Sequence, residues 1–555
     1  MKRLLLTAAI LSVAYCFEAG DYLTSEEDIL DALSREEISF TEYYDLLELF
    51  RDKVELTGDD LDRLRAIPGV DRRWIEAIEE ARENAGLFAD RETFERWFPF
   101  DFERIRAFVF FEKRERRDMN GSVKLYTHGK FIEDATPTNN LTGGFGTKTI
   151  RIEARGIDDQ RSPRLRRRSL SVKKPTWGLT LGSFDEGFGN GLVMGKAFHI
   201  AGAKRTNTGL KSLISPVDNL FNGAYFSGDF GRVGTGAALS RVDYDSVCAE
   251  VMASELSFSP DSNYRFGGVF ALAGVSSPER GSRFSQSAGS VFGKAVVLGS
   301  KLDLELGWTD NGGVGLSLSA LSKLEGVRSI ASFWSYSDGF FPLNGDGESD
   351  YRYTYIPLGE SGVLHDSRGA GESGAKMKIT VPVGERVSVD LDQSGWRTPS
   401  AGDWGISTKS ALYFRGENNT RLRGEYSWEK RTLASGVRSK NSIRMTANIP
   451  LAKDFGLNGY LRVSRSNIGE ATTDGLSANA EIQGDLFEPM QLRLQLVRSK
   501  TNIASKDNGY WALRFRNYFR TGPISWLAEV RRAFYDKADK DDLTEFRITS
   551  SYYWR

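Results

Sequence analysis

The 555-residue chain carries 74 basic and 75 acidic residues, and its formal net charge of −1 provides no global field that steers it to a polyanion. Because it has only 2 cysteines, a disulfide framework is excluded, and its length suits either several domains or one very large β-structure. A mean hydropathy of −0.39 argues against a helical membrane protein. It does not argue against a β-barrel, whose strands expose only alternate side chains to lipid.

The N-terminal residues have the pattern of a secretory leader. Lys2 and Arg3 precede an apolar run from Leu4 to Val13, which is too short to cross a bilayer as a helix. We therefore predict that residues 1–16 are a signal peptide cleaved after Cys16. A lipid anchor on Cys16 is the alternative, although a bulky tyrosine precedes it where lipoproteins have a small residue.

The next region, residues 21–112, lacks the alternation of strands and predicts an α-helical domain. Apolar residues recur at helical spacing, a Pro68-Gly69 break follows the first helix of a pair, and Asn84-Ala85-Gly86 is a helix stop. The apolar positions of the pair are Leu61, Leu64, Ile67, Trp74, Ile75 and Ile78.

Two sequences in this domain carry a resemblance. VELTGDDLDRLRAIPGVDRRWIEAIEEARENAGLFADRETF resembles the helix-hairpin-helix domain of competence-type DNA receptors, and ETFERWFPFDFERIRAFVFFE resembles its degenerate second copy. The resemblance covers about residues 54–111 and implies a tandem all-α module that binds a nucleic-acid backbone. The hairpin residues that it implies for binding are Pro68, Gly69, Val70, Asp71, Arg72 and Arg73.

The hairpin has a physical logic and one departure from the family pattern. Unpaired backbone N–H groups at a helix N-terminus attract a phosphate, with Arg72 and Arg73 as side-chain partners. Asp71, however, replaces the second hairpin glycine and puts a carboxylate near the phosphate position. A packing or partner-docking module that binds no DNA is therefore the alternative.

From about residue 120 to 555 the sequence alternates between apolar and polar residues, as β-strands do. Leu302, Leu304, Leu306 and Trp308 share one face, a turn follows at residues 310–313, and the alternation resumes at Val314 to predict a hairpin. Such strands occur in periplasmic sandwiches or solenoids and in membrane barrels. The leader, the aromatic residues near strand ends and the long polar loop at 345–376 favour a barrel of roughly 18–24 strands.

The last strand has the apolar face by which barrels are recognised for insertion. Phe546, Ile548, Tyr552 and Trp554 form this face, although Arg555 follows the terminal aromatic residue. The predicted fold class is thus α+β multidomain, with a small all-α tandem helix-hairpin-helix domain and then a large antiparallel transmembrane β-barrel at 120–555.

A glycine-rich sequence near the start of the barrel carries a second resemblance. LGSFDEGFGNGLVMGKAF resembles the FGxGL segment of exported helix-hairpin-helix proteins with C-terminal outer-membrane barrels. The resemblance implies an architecture and no particular activity. We interpret the glycines as permitting close strand packing or a bend, because their spacing is not that of a phosphate-binding loop.

A basic run between Arg161 and Pro175 is the strongest local charge. It is either a solvated loop or a polyanion-binding patch, whose candidate residues are Arg164, Arg166, Arg167 and Arg168. The three histidines have no metal-ligand spacing, so no catalytic residue, metal site or cofactor is predicted. A barrel hydrolase using His199 is the least favoured alternative.

Together these features predict a protein of the outer membrane of a Gram-negative-type bacterium, with the N-terminal module in the periplasm. The favoured function is transport or the handling of DNA or another polyanion. The alternative is a structural module that plugs the barrel or docks a partner. The expected partners are outer-membrane lipid, DNA and a periplasmic protein, and the oligomeric state stays open.

Overall fold

The structure is a computed structural model, and its description covers most of the strand-rich region and selected positions before it. The described residues are 23, 29, 46, 49–50, 53–56, 61–67, 70, 74–75, 77–79, 81, 94, 98, 102–111, 119–130, 138–147, 149–158, 163–174, 176–195, 197, 212, 214–217, 220–244, 247–261, 263–277, 281–297, 300–324, 327–346, 352–358, 361–367, 371–384, 386–398, 400–416, 420–433, 436–452, 455–469, 471–487, 490–503, 505, 509–521, 524–537 and 542–554.

The chain forms two compact units, and the smaller one includes Phe17–Arg117. The elements of this unit whose two ends lie among the described residues are strand β1 (Val54–Glu55), a 3-10 helix (Leu61–Ala66), helix α1 (Phe102–Arg106) and strand β2 (Val109–Phe110). Strands β1 and β2 pair in parallel, with Val54 opposite Val109. This pairing joins the two ends of the region that resembled the helix-hairpin-helix module.

The smaller unit has a hydrophobic core of its own. Phe94 stacks on Phe98 with ring centroids 4.6 Å apart, and Trp74 meets the edge of Phe98 at 5.7 Å. Ile78 and Ile105 of the same unit are completely buried. Such aromatic pairs add to the stabilisation that comes from apolar burial.

The predicted all-α tandem domain and its α+β fold class are wrong. The described chain is nearly all β, with 77% of residues in strands and 6% in helices. The helical spacing correctly predicted that Trp74, Ile75 and Ile78 are buried. It did not predict the strands β1 and β2, whose β-branched and aromatic residues favour strand pairing. Among the described residues, no helix is long and apolar enough to cross a membrane.

The larger unit is a closed barrel of 24 antiparallel strands, which confirms the predicted barrel. Its strands are β3 (Met119–Lys130), β4 (Thr138–Thr147), β5 (Ile150–Asp158), β6 (Pro163–Lys174), β7 (Trp177–Phe184), β8 (Phe221–Phe230), β9 (Val233–Asp243), β10 (Cys248–Asp261), β11 (Tyr264–Ser277), β12 (Ser282–Val297), β13 (Ser300–Thr309), β14 (Val314–Leu324), β15 (Val327–Tyr336), β18 (Ser373–Pro382), β19 (Val387–Thr398), β20 (Asp403–Arg415), β21 (Arg421–Leu433), β22 (Gly436–Ala452), β23 (Phe455–Ile468), β24 (Ala471–Phe487), β25 (Met490–Lys500), β26 (Gly509–Thr521), β27 (Ile524–Tyr535) and β28 (Leu543–Trp554). A separate hairpin, β16 (Arg352–Leu358) with β17 (Ser361–Ser367), lies in the connection between β15 and β18.

The two ends of the barrel differ in their connections. At the end where β3 begins and β28 finishes, neighbouring strands are joined by short turns such as residues 148–149 and 522–523. We name this the turn end and the opposite one the loop end. The two longest connections, 185–220 and 337–372, both leave from the loop end.

The barrel wall is apolar outside, and over most of its strands it is polar inside. On β13, Leu304 is 46% exposed while its neighbour Glu305 is completely buried, and the same alternation recurs along the other strands. Side chains converge on the concave face of a closed sheet and spread apart on its convex face, so the exposed apolar set lies outside. A convex face of this composition suits lipid, as in transmembrane barrels.

Two local sequence predictions are confirmed by these strands. The hairpin predicted from the alternation around residues 310–313 is β13–β14, whose turn contains Gly312 at a φ of 83°. On the last strand, Ile548 and Tyr552 are both exposed on the outer face, as the predicted apolar face requires.

Candidate functional site in the barrel interior

The connection after β7 bends into the barrel, and two buried carboxylates of the wall hold it there. We name residues 185–195 the inner segment. Glu255 on β10 accepts the N–H of Gly189 at 2.8 Å. Glu305 on β13 accepts the N–H of Asn190 at 2.8 Å and that of Leu192 at 3.3 Å. Both acids lie near the middle of their strands, so the inner segment reaches well inside the barrel.

Each carboxylate is also held by the wall itself. The Ser290 hydroxyl donates to Glu305 Oε1 at 2.5 Å, and Arg265 Nη2 donates to Glu255 Oε1 at 2.8 Å. Charge-assisted hydrogen bonds of this kind are stronger than neutral ones. The two acids therefore act as fixed acceptors for the backbone of the inner segment.

The glycines of the FGNGL sequence make this arrangement possible. Gly189 and Gly191 have φ values of 61° and 88°, which side-chain-bearing residues rarely adopt. A Cβ on Gly189 would lie 2.9 Å from Glu305 Oε1. We interpreted these glycines as permitting close strand packing or a bend, and this turn is consistent with the bend. The close approach here is between Gly189 and the carboxylate of Glu305, and not between two strands.

A second inward segment, residues 340–346, pairs with the inner segment. Gly195 donates its N–H to Asn344 O at 2.7 Å, and Asp346 donates to Gly191 O at 2.9 Å. Gln286 on β12 accepts the N–H of Leu343 at 3.0 Å and so fixes this segment to the wall. The two longest connections thus meet inside the barrel.

Beneath the inner segment, the wall is lined by small and apolar side chains. Phe188 and Met194 pack in one buried cluster with residues of β8 to β12, and Phe188 stacks on Tyr225 at 5.6 Å. The other wall members of this cluster are Phe184 at the end of β7 and Phe221, Ala238, Val251, Ala253, Val269, Ala271, Ala288 and Phe292.

Gly236 on β9 tests this packing. A Cβ there would lie 3.1 Å from two carbons of the Phe188 ring and closer still to Cε1. We expect Gly236→Val to displace Phe188 and destabilise the protein by about 1–3 kcal/mol, the usual cost of overpacking. The measurement is the urea midpoint of unfolding.

The matched control for this substitution is Gly424→Val on β21. A Cβ at Gly424 meets nothing within 4 Å. It carries the same change in a barrel strand, so its midpoint should stay close to that of the wild type. Equal losses in the two variants would contradict the packing role of Gly236.

The opposite part of the wall, β18–β28, is lined by charges. Within the described residues, inward cations outnumber inward acids there. The cations are Lys376, Lys378, Lys409, Arg421, Arg423, Arg431, Arg438, Lys440, Arg444, Arg462, Arg493, Arg514, Arg516, Arg531 and Arg547, and the acids are Asp390, Asp392, Asp403, Glu425, Glu429, Glu481, Glu529 and Glu545.

Several of these acids are shared by more than one cation. Glu529 lies 3.0 Å from Arg516 Nε, 3.6 Å from Arg514 Nε and 3.7 Å from Arg547 Nη1. Glu481 lies 3.6 Å from Arg516 Nη1 and 3.9 Å from Arg493 Nη1. We name this set of cations and acids the charged wall. One acid between two or three cations fixes the side chains while leaving the local charge positive.

Aromatic rings hold further guanidinium groups of the charged wall. Arg444 lies over the Tyr460 ring at 4.9 Å, and Arg531 lies over Tyr510 at 5.5 Å while it pairs with Glu545 at 2.8 Å. Cation–π contacts stabilise the cation without cancelling its charge. The wall is therefore an ordered array with a positive excess.

The hairpin residues predicted to bind nucleic acid fall almost entirely outside the described residues. Pro68, Gly69, Asp71, Arg72 and Arg73 belong to that group. Val70 is described, and it is buried and donates its N–H to Ile67 O at 2.9 Å. Its side chain serves the core of the smaller unit.

The arginine patch lies on a strand and not in a loop. Arg164 and Arg167 share the inward face of β6, where Arg167 is paired in register with Arg155 of β5. Arg166 is buried at a bulge between the two strands, and Arg168 Nη2 donates to Ile214 O at 3.1 Å. The run therefore continues the cationic lining onto β5 and β6.

Comparisons with known proteins agree with the fold. No family model and no curated protein matches the chain in sequence. Among solved structures, the E. coli usher PapC in a pilus tip assembly intermediate is 12% identical with a TM-score of 0.50, covering 80% of this chain and 62% of that one. The PapC translocation pore alone is 11% identical, with a TM-score of 0.37 and coverages of 79% and 99%. The siderophore receptor PirA of Pseudomonas aeruginosa is 9% identical, with a TM-score of 0.43 and coverages of 80% and 82%. The likeness shows the fold alone, a large β-barrel.

The acids that position the inner segment were missed by the sequence interpretation. Glu255 and Glu305 occupy ordinary polar positions in alternating strands. The one available signal was that Glu255 is a carboxylate on a strand whose other inward residues, such as Val251 and Ala253, are mostly small or apolar. That contrast needs the strand register, because only the register shows which residues share a face.

Proposed function

We propose that the protein is an outer-membrane transport barrel whose interior conducts a hydrophilic solute. The observation that carries this proposal is the inverted wall, with lipid-compatible side chains outside and charged side chains inside. Barrels of 16 or more strands enclose an aqueous channel or a plugged lumen rather than a packed core. The outer-membrane location and the solute are part of the same proposal.

The inward segments are proposed to control this passage. They fill the part of the interior next to β8–β15, and each is attached to the wall by carboxylate or amide acceptors. Segments held by a few hydrogen bonds can leave when those bonds break, which gives the barrel a closed and an open state. The alternative that the N-terminal module plugs the barrel is not needed to explain a closed state.

Single-channel recording in planar bilayers tests the transport proposal. The purified full-length protein should give discrete ionic currents, rare in the wild type because the inward segments are held in place. A complete lack of current in both the wild type and a variant whose inner segment is released would overturn the proposal.

A finer candidate is DNA handling, supported by the hairpin sequence between Pro68 and Arg73 and by the cationic lining on β5 and β6. The N-terminal unit would lie in the periplasm and dock either DNA or a protein partner there. In both hypotheses, DNA binding and protein docking, the binding part is the N-terminal compact unit with its own hydrophobic core.

Salt-dependent DNA binding separates these two hypotheses. The full-length protein should bind duplex DNA with an affinity that falls as salt rises, since phosphate contacts release counterions. Arg72→Gln with Arg73→Gln should then weaken binding, and Asp71→Asn should strengthen it. Binding that none of the three changes alter would remove DNA handling by the hairpin and leave partner docking.

A further inference from the structure

The charged wall combines an excess of positive charge with fixed geometry. On β24–β28, Arg516 contacts both Glu481 and Glu529, so neighbouring acids are linked through one guanidinium. The inward cations there include Arg493, Arg514 and Arg547 as well. Over these neighbouring strands the wall therefore presents more cations than acids.

The same pattern continues along the neighbouring strands. Glu425 on β21 contacts both Lys409 Nζ, at 3.2 Å, and Arg423. Asp390 on β19 lies 3.9 Å from Lys378 Nζ, at the outer limit of an ion pair. Together with the arginines of β5 and β6, these residues extend the positive lining around a large part of the interior.

The contacts that hold the inward segments lie elsewhere. The inner segment is fixed by Glu255 and Glu305 on β10 and β13, and the second inward segment by Gln286 on β12. Near these acceptors, the charge of Arg265 is balanced by its ion pair with Glu255. The inward segments cover this part of the wall, so a solute that passes beside them meets the charged wall of β18–β28.

We propose that the solute is anionic and that its carboxylate or phosphate groups pass along the charged wall. This inference rests on the proposed transport function and adds the chemical class of the solute. Rings and rows of Arg and Lys select anions in pores, and guanidinium groups match the planar, bidentate geometry of carboxylate and phosphate oxygens. The shared acids keep the array ordered when no solute is bound.

The reversal potential in a KCl gradient tests this proposal on the full-length protein. We expect the open wild-type pore to prefer chloride. Arg493→Gln combined with Lys378→Gln should shift the reversal potential towards cation preference, because the two substitutions remove two positive charges from the inward face of the barrel. Glu481→Gln should shift it in the opposite direction, which a purely structural role would not produce.

The matched control is Arg241→Gln on the outward face of β9. Arg241 is paired with Glu250 at 3.1 Å, and Arg241→Gln removes one positive charge as each of the two test substitutions does, but Arg241 does not face the interior. Its reversal potential should equal that of the wild type. Cation preference in the wild type, or an equal shift from Arg241→Gln, overturns the anionic class while leaving transport intact.

Pore block identifies the source of the anionic groups. Inorganic phosphate and long-chain polyphosphate are added to separate recordings, with neutral dextran as the comparison. Salt-sensitive block by polyphosphate alone supports a polymeric anion, and block by both anions supports a small one. Equal block by dextran overturns the anionic class, whereas an absence of current in every variant overturns the transport proposal itself.

Discussion

Replacing Glu305 with alanine should raise the open fraction of the pore by at least about tenfold. The substitution removes the acceptor for the N–H groups of Asn190 and Leu192, and two such hydrogen bonds together contribute about 2 kcal/mol. Every 1.4 kcal/mol lost corresponds to about a tenfold change in an equilibrium constant. Open probability in planar bilayers is the measurement.

Two further variants serve as comparisons for Glu305→Ala. Glu305→Gln keeps the shape and one oxygen acceptor, so its open fraction should lie between those of the wild type and the alanine variant. Glu250→Gln removes an outward carboxylate and should leave gating unchanged, since Glu250 is paired with Arg241 on the outer face. A folded Glu305→Ala barrel with wild-type opening would contradict the role of Glu305 in holding the inner segment.

A charge placed on the convex face should have the second large effect. Ile443 on β22 is 57% exposed on the outer face near the middle of its strand. Ile443→Arg should destabilise the barrel by about 2–4 kcal/mol in lipid vesicles, because the guanidinium would lie near the bilayer midplane. Urea unfolding in vesicles, followed by tryptophan fluorescence, measures the loss.

The inward position on the same strand supplies the control. Thr446 lies three residues further along β22 on the concave face, opposite Tyr460 in register. Thr446→Arg adds the same side chain to a lumen that already holds many arginines, so its stability should change little. Similar losses for both variants would contradict the assignment of the outer face to lipid.

The sequence was most informative where structure depends on near neighbours. Leu302 to Trp308 alternate with polar residues, and Asp310 to Gly313 form a turn, so the β13–β14 hairpin was predicted from local signals alone. The barrel and its outer apolar face were predicted in the same way. Strand alternation repeats along the chain, and each repeat adds to the same conclusion.

Non-local contacts were beyond this kind of inference. The parallel pairing of Val54 with Val109 changes a region whose apolar spacing predicted only helices. The inner segment is fixed by Glu305, more than a hundred positions away in the sequence, through backbone N–H groups that any residue carries. Local spacing predicts which side is buried, but it does not identify the partner.

The seam between β3 and β28 has a consequence for biogenesis. Gly121 pairs with Trp554 and Lys130 with Glu545, so the sheet closes by pairing two strands that lie far apart in the sequence. Until these two strands pair, both edge strands expose unpaired N–H and C=O groups, which promote aggregation. Contacts of such high sequence separation also form slowly. We therefore expect the pairing of β28 with β3 to be a late step in the assembly of the barrel.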